Sequence, residues 1–357
     1  MAPDYPTSRS SRPVAIWLLI GVFMIIVQVV LGGITRLTGS GLSITEWKPI
    51  MGALPPMNEE AWQQAFEKYK QIAQYKYLNA YFDLSDFKAI FFWEWFHRLW
   101  ARLIGVVFLI PFIIFLLQRR FRKDMIRPMI ILFLLGGLQG LVGWIMVQSG
   151  LDDSELLYVS HYKLAIHFIF ALALLCYTLW FALKLLIPRH RIVVDRPASR
   201  LLKWILILFT IQLVYGAFMA GLKIAAAAPT WPDINGGFLP ADLHAYGPRR
   251  FPGASFLTDH PIMIHFIHRN LAYLLTILII VLTIKLYRLH ARPLRLIKTL
   301  PLLLVLTQVV LGISSVLYAS KPHVFLWLGV AHQFIAMLLL LSLTWLAYQL
   351  RSKHPRA

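Results

Sequence analysis

The chain has 357 residues, of which 59% are apolar and only 14% charged, yet its formal net charge is +19. Soluble domains run at roughly 45–50% apolar and about 25% charged, so a soluble globular fold is excluded, and a solvated basic groove for nucleic acid with it. The single cysteine, Cys176, excludes an intramolecular disulfide, a CxxC redox pair, a Cys-rich zinc site and a covalently attached c-type haem.

A membrane-crossing helix needs about 20 mainly apolar residues. Eight windows satisfy this, at 14–34, 94–118, 128–149, 162–187, 202–224, 263–287, 299–318 and 325–349. The head before the first window is too short for an ordinary transit peptide, and the window lacks a convincing cleavage signal, so it reads as a retained helix. The connecting segments alternate in charge. Arg9 and Arg12, RRFRKDMIR at 119–127, PRHRIVVDRPASRLLK at 188–203, RLHARPLRLIK at 288–298 and the tail RSKHPRA form a basic set. The other set is longer and mixed or acidic, including LDDSE at 151–155. Lys and Arg mark the cytoplasmic side, so both termini are expected inside, with a bacterial inner membrane as the simplest address. Two outside loops are long. Residues 35–93 carry a polar, aromatic stretch expected to lie as an interfacial helix. Residues 225–262 are rich in Pro, Gly and aromatics and read either as a cap on a site or as a passive connector.

A signature recurs along the chain. Gln28 and Gly32, Gln139 and Gly143, Gln212 and Gly216, and Gln308 and Gly312 place QxxxG at a similar depth in each odd-numbered window. Each even-numbered window carries a histidine near its outer end: His97, His167, His268 and His332. The unit is therefore a QxxxG helix followed by a His helix, four times over. Glycine permits close approach, and glutamine at lipid depth requires a polar partner. The glutamines read equally well as helix glue or as support for the histidines. The expected architecture is an all-α integral membrane protein of eight helices, forming two four-helix bundles related by a pseudo-twofold along the membrane normal. The N-terminal half is 1–187 and the C-terminal half 188–357.

Ionisable residues inside a membrane are costly and usually functional. Two imidazoles from non-adjacent helices of one bundle can hold a haem iron from both sides. The pairs would be His97 with His167 and His268 with His332, as metal ligands. Zinc fits less well, because nothing completes a tetrahedral set. Trp93, Trp95, Phe96, Trp100, Phe168 and Phe170 in one half, and Phe266, Tyr273, Trp327 and Phe334 in the other, suit a porphyrin. Arg98 and Arg269, each beside a histidine, read as partners for haem propionates or as snorkelling cations. The halves differ at Glu94, one turn before His97, because the matching position is His265. An acid there can accept a proton or stabilise developing positive charge. This asymmetry makes the N-terminal half the place where a haem is altered and the C-terminal half its helper. The rival is a di-haem b-type cytochrome that oxidises a quinol; the same-side depth of the histidines and the lone Glu94 speak against it. A transporter built on an inverted repeat is disfavoured by halves of four spans each, which run parallel.

EWFHR, YKLAIHF, FIHR and GVAHQ, together with GGITRLTGSGLSITEWKPI and GALPP near the start, closely resemble haem A synthases of the alphaproteobacterial and mitochondrial type. The resemblance covers nearly the whole chain. It implies an inner-membrane oxidoreductase that converts haem O to haem A, turning a ring methyl into a formyl group through a hydroxymethyl intermediate, for use by cytochrome c oxidase. It implies that His97 and His167 flank haem O, that His268 and His332 ligate a haem b, and that Glu94 is the essential glutamate. It further implies haem O synthase as substrate donor, the cytochrome c oxidase assembly machinery and membrane lipid as partners, and is compatible with a homo-oligomer. Some family members carry a cysteine pair in the first outside loop; this chain has none there.

Overall fold

The computed structural model describes residues 12–46, 51–121, 123–151, 157–238, 245–246 and 249–353. Among the described residues, eight helices are long and apolar enough to cross a membrane: Arg12–Leu37, Leu84–Leu117, Asp124–Leu151, His161–Leu186, Arg196–Gly221, Pro261–Arg288, Leu300–Leu317 and Pro322–Gln349. They are called the first to eighth spans below. Of the charged segments used for orientation, Arg9, the acidic run at 152–155 and the last four residues of the tail lie outside the described residues.

The second span departs most from expectation, beginning at Leu84 instead of near Glu94. Asp83 supplies the reason. Its carboxylate accepts from the Ser85 and Asp86 N–H groups, and Asp86 reaches back to the Asp83 N–H, a complete capping box. A hydropathy window stops short of those ten residues because Ser85, Asp86 and Lys88 lie among them. Phe87, Ile90 and Phe91 pack with Phe66 and Tyr69. Those partners sit on the helix Glu59–Lys70, which Asn58 caps through the Ala61 N–H. The expected helix of the first loop is therefore present, continued by the short helix Ala73–Leu78. The fifth span likewise starts earlier, at Arg196, because Asp195 accepts from the Ala198 N–H at 2.7 Å and Pro197 occupies the first turn. Part of the basic segment 188–203 is thus helical.

Each span packs on its chain neighbours, and the first, fourth, fifth and eighth also pack on one another. The largest apolar cluster draws on the first, fourth, fifth, sixth and eighth spans, including Val29, Leu175, Ile205, Ile279 and Leu343. The second and third spans contribute almost nothing to the interior of their most apolar stretches and present them outward. A core shared by both halves leaves little independence between them. At the basic end, Val193–Val194 pairs in parallel with Leu350–Arg351, tying the mid-chain connection to the end of the eighth span. The other end carries the long loops, and that is where the histidines lie.

Candidate active site

The four QxxxG helices each clamp one histidine. Gln28 Nε2 lies 3.3 and 3.2 Å from Nδ1 and Nε2 of His97. Gln139 Nε2 lies 3.1 and 3.4 Å from the same atoms of His167, and donates to its carbonyl at 3.0 Å. Gln212 Nε2 is 3.4 Å from His268 Nε2, and Gln308 Nε2 is 3.0 Å from His332 Nε2. The glycine one turn on forms the other wall. A Cβ built at Gly32, Gly143, Gly216 or Gly312 would meet Cε1 of the same histidine at 3.1, 2.8, 3.3 or 3.0 Å respectively. Glutamine and glycine four residues apart share a helix face, so each ring sits over a notch with an amide at its edge. The sequence left the glutamines' role open; here each one touches a histidine.

The pairing of histidines follows. The His268 and His332 rings stand with centres 6.4 Å apart and planes at 64°. Two imidazoles, each holding a ring nitrogen about 2 Å from a shared metal ion, place their ring centres about 6 Å apart. The Nδ1 atoms of His268 and His332 and the Oε1 atoms of all four glutamines are buried without a partner among the described residues. Buried polar groups are normally satisfied. A two-ligand site with unfilled polar atoms around it, as His268 and His332 form, fits a planar metallo-tetrapyrrole better than a bare ion, and no group of three metal-binding side chains occurs among the described residues.

Glu94 is 3% exposed and every acceptor on it is used. Oε2 accepts from Ser43 Oγ at 2.7 Å and from the Ile44 N–H at 2.8 Å, and Oε1 pairs with Arg98 Nη2 at 2.5 Å. Arg98 also donates to the carbonyls of Ile44 and Glu46. The first outside loop therefore folds onto the acid, and Ser43 and Ile44 are site residues that motif reasoning missed. Their signal was the GSGLSIT run: a tight, small-residue return that delivers a hydroxyl and an N–H back to the second span. Arg98, expected to meet a propionate or lipid headgroups, is instead committed to Glu94 and this loop.

Arg269 takes the corresponding place in the other half. It is 7% exposed, and its Nη1 donates to the carbonyls of Pro232 and Asp233 at 2.9 and 2.7 Å. Pro232 and Asp233 of the second long loop thus fold onto the sixth span as Ser43 and Ile44 of the first do onto the second. Asp233 itself is half-buried; Thr230 and the Gly236 N–H hold its carboxyl below the usual range, with Arg269 a weaker contribution. The aromatic surroundings are only partly as expected. Trp100 and Tyr273 are anchored by hydrogen bonds to Met24 O and from Trp231 Nε1. Trp327 and Phe334 are exposed and lie about 140° and 160° around the helix from His332, so they belong to the outer surface. His161, close in sequence to His167, holds the other half: its Nε2 is 3.0 Å from the Thr258 carbonyl and 3.1 Å from Asp259.

The model of the family described as cytochrome oxidase assembly protein matches residues 15–344, which spans all eight membrane helices and all the residues above. The chain belongs to this family. Proteins named "Heme A synthase" are its relatives. That of Flavobacterium psychrophilum is 40% identical over 342 residues, covering 94% of this chain and 98% of the relative. That of Rhodospirillum centenum is 40% identical over 97% and 90% of the two chains. That of Brucella suis is 38% identical over 93% and 90%. The family membership supports a part in cytochrome oxidase assembly, and the synthase name supports the enzyme reading over the electron-transfer one.

Proposed function

We propose that this protein is a haem A synthase that oxidises a ring methyl of haem O to a formyl group through a hydroxymethyl intermediate, yielding haem A for cytochrome c oxidase. The observation that carries the reading is the fourfold Gln–His–Gly clamp with a carboxylate in one copy only. His97 and His167 position the substrate haem from its two faces, with Gln28 and Gln139 fixing the ring orientations. Glu94 lies one turn from His97, so its carboxylate takes a proton, or stabilises positive charge, as the methyl carbon is oxidised. Ser43, the Ile44 N–H and Arg98 hold that carboxylate still and shield it from solvent. His268 and His332 hold a haem b; when bound, it supplies a one-electron redox centre beside the substrate. The loops that fold onto Arg98 and Arg269 close the sites toward the aqueous side.

The basic ends of the helices face the cytoplasm by the positive-inside rule, which puts both termini inside a bacterial inner membrane and the haem sites toward the periplasm. The division into 1–187 and 188–357 follows the repeat, and haem O synthase is the substrate donor. Expression in a host that makes haem O but lacks its own haem A synthase tests the function. Extraction and chromatography should yield haem A with the wild type and none with Glu94→Ala. Wild-type haem A from Glu94→Ala would remove Glu94 from the chemistry, and protohaem alone from the wild type would overturn the enzyme assignment.

A further inference from the structure

His265 and Arg269 are the least satisfied buried polar residues of the C-terminal half. His265 is 3% exposed and Arg269 7% exposed. They lie four residues apart, hence on one face of the sixth span, with His268 between them. Pro232 and Asp233 occupy only Nη1 of Arg269. Its Nε and Nη2, and Nδ1 of His265, are buried with no partner among the described residues. A permanently charged guanidinium with a free donor edge needs an anion. Asp233 does not supply one, since its carboxylate accepts from the Gly236 N–H and Thr230, and it meets Arg269 Nη1 through its backbone carbonyl.

The repeat-related place in the N-terminal half is filled differently. There Glu94 stands for His265, and it pairs with Arg98 at 2.5 Å. The cation is neutralised from within the protein, and the acid's other oxygen is taken by Ser43 and Ile44.

We propose that Arg269 and His265 form a carboxylate pocket that anchors a propionate of the tetrapyrrole held by His268 and His332, while the Glu94–Arg98 pair withholds that grip from the one held by His97 and His167. A guanidinium fork binds carboxylate through two parallel hydrogen bonds, and the His265 N–H adds a third donor. The C-terminal haem is thereby resident. The N-terminal one meets a neutral ion pair at the same edge and exchanges, as a substrate and its product must. The inference rests on the assignment of the four histidines given under the proposed function.

Haem transfer to apomyoglobin tests it on the full-length, haem-loaded protein in detergent, followed by absorbance. The wild type should keep one slowly leaving haem per chain. His265→Glu, which installs the N-terminal arrangement, and Arg269→Gln should each speed that slow phase about ten- to a hundredfold, the usual effect of losing a charge-assisted hydrogen bond. His265→Gln, which retains an N–H donor, should stay within a few fold of wild type. A slow phase unchanged in both His265→Glu and Arg269→Gln overturns the pocket; if His265→Glu does not accumulate, Arg269→Gln decides alone. A wild type that binds no haem, or releases all of it in one fast phase, overturns the histidine assignment itself.

Discussion

Under the proposed function, the chemistry of the N-terminal half turns on the side chain of Glu94. Glu94 is 3% exposed and is held by three donors, Arg98, Ser43 and the Ile44 N–H, which replace hydration. Tyr69, fully buried beneath the first loop, shows the same rule for a neutral group. Its hydroxyl donates to Gln74 Oε1 at 3.0 Å and accepts from Asn79 at 2.7 Å, and Gln74 reaches on to the carbonyls of Gly39 and Leu157. Burial above all pushes its phenol up from 10.0 to about 12. The value is raised on folding, so the stability it represents is intact below pH 10 and is lost as pH climbs through 12. Difference absorbance of phenolate should show one late-titrating tyrosine near pH 12 that is missing from Tyr69→Phe. That substitution leaves Gln74 and Asn79 short of a partner and should lower stability by about 1–3 kcal/mol. The carboxylate and the histidines were legible in the sequence because their residue types are rare at lipid depth. What holds them was not, since Ser43 and Ile44 are ordinary residues that matter only through where a loop returns.

At the level of the helix, the notch under each histidine sets a graded expectation. A new Cβ meets the ring at 2.8 Å in Gly143→Ala, 3.0 Å in Gly312→Ala, 3.1 Å in Gly32→Ala and 3.3 Å in Gly216→Ala. Overpacking of this kind typically costs about 1–3 kcal/mol, and here the ring must give or the helices must part. Thermal midpoints in detergent should fall in that order, with Gly143→Ala the most damaged and Gly216→Ala close to wild type. Equal midpoints across the series would mean that the rings shift freely. The QxxxG repeat was visible as a period, and helix geometry alone put Gln and Gly on one face. That the face meets the histidine of the next span follows from packing, which periodicity does not encode. The start of the second span was misread because Ser85, Asp86 and Lys88 dilute the apolar run there, while the helix start is set by the Asp83 cap and by Phe87, Ile90 and Phe91 packing against the helix Glu59–Lys70.

Across the whole molecule, the halves are joined at the loop end by specific polar contacts. Arg36 donates to the Gly221 carbonyl at 2.6 Å and lies over the Tyr158 ring, whose hydroxyl accepts from Lys223. Gln333, next to His332, donates to the Val29 carbonyl beside Gln28, so residues adjoining the two sites touch directly. His161 and Tyr162 grip Thr258 and Asp259 at the start of the sixth span. In a double-mutant cycle, His161→Ala and Asp259→Ala should be non-additive in stability by about 0.5–3 kcal/mol; strict additivity would show that the contact carries nothing. The fourfold alternation of QxxxG and His windows was readable from the sequence. The joining of the halves was not, because it depends on carbonyls and on pairs far apart in the chain.

Under the proposed function, the two histidine pairs hold different haems for different purposes. Haem analysis of His97→Ala and His268→Ala, each purified from a host that supplies haem O, separates them. His97→Ala should keep its haem b and contain no haem A, whereas His268→Ala should lose haem b. Loss of the same haem from both variants would contradict it.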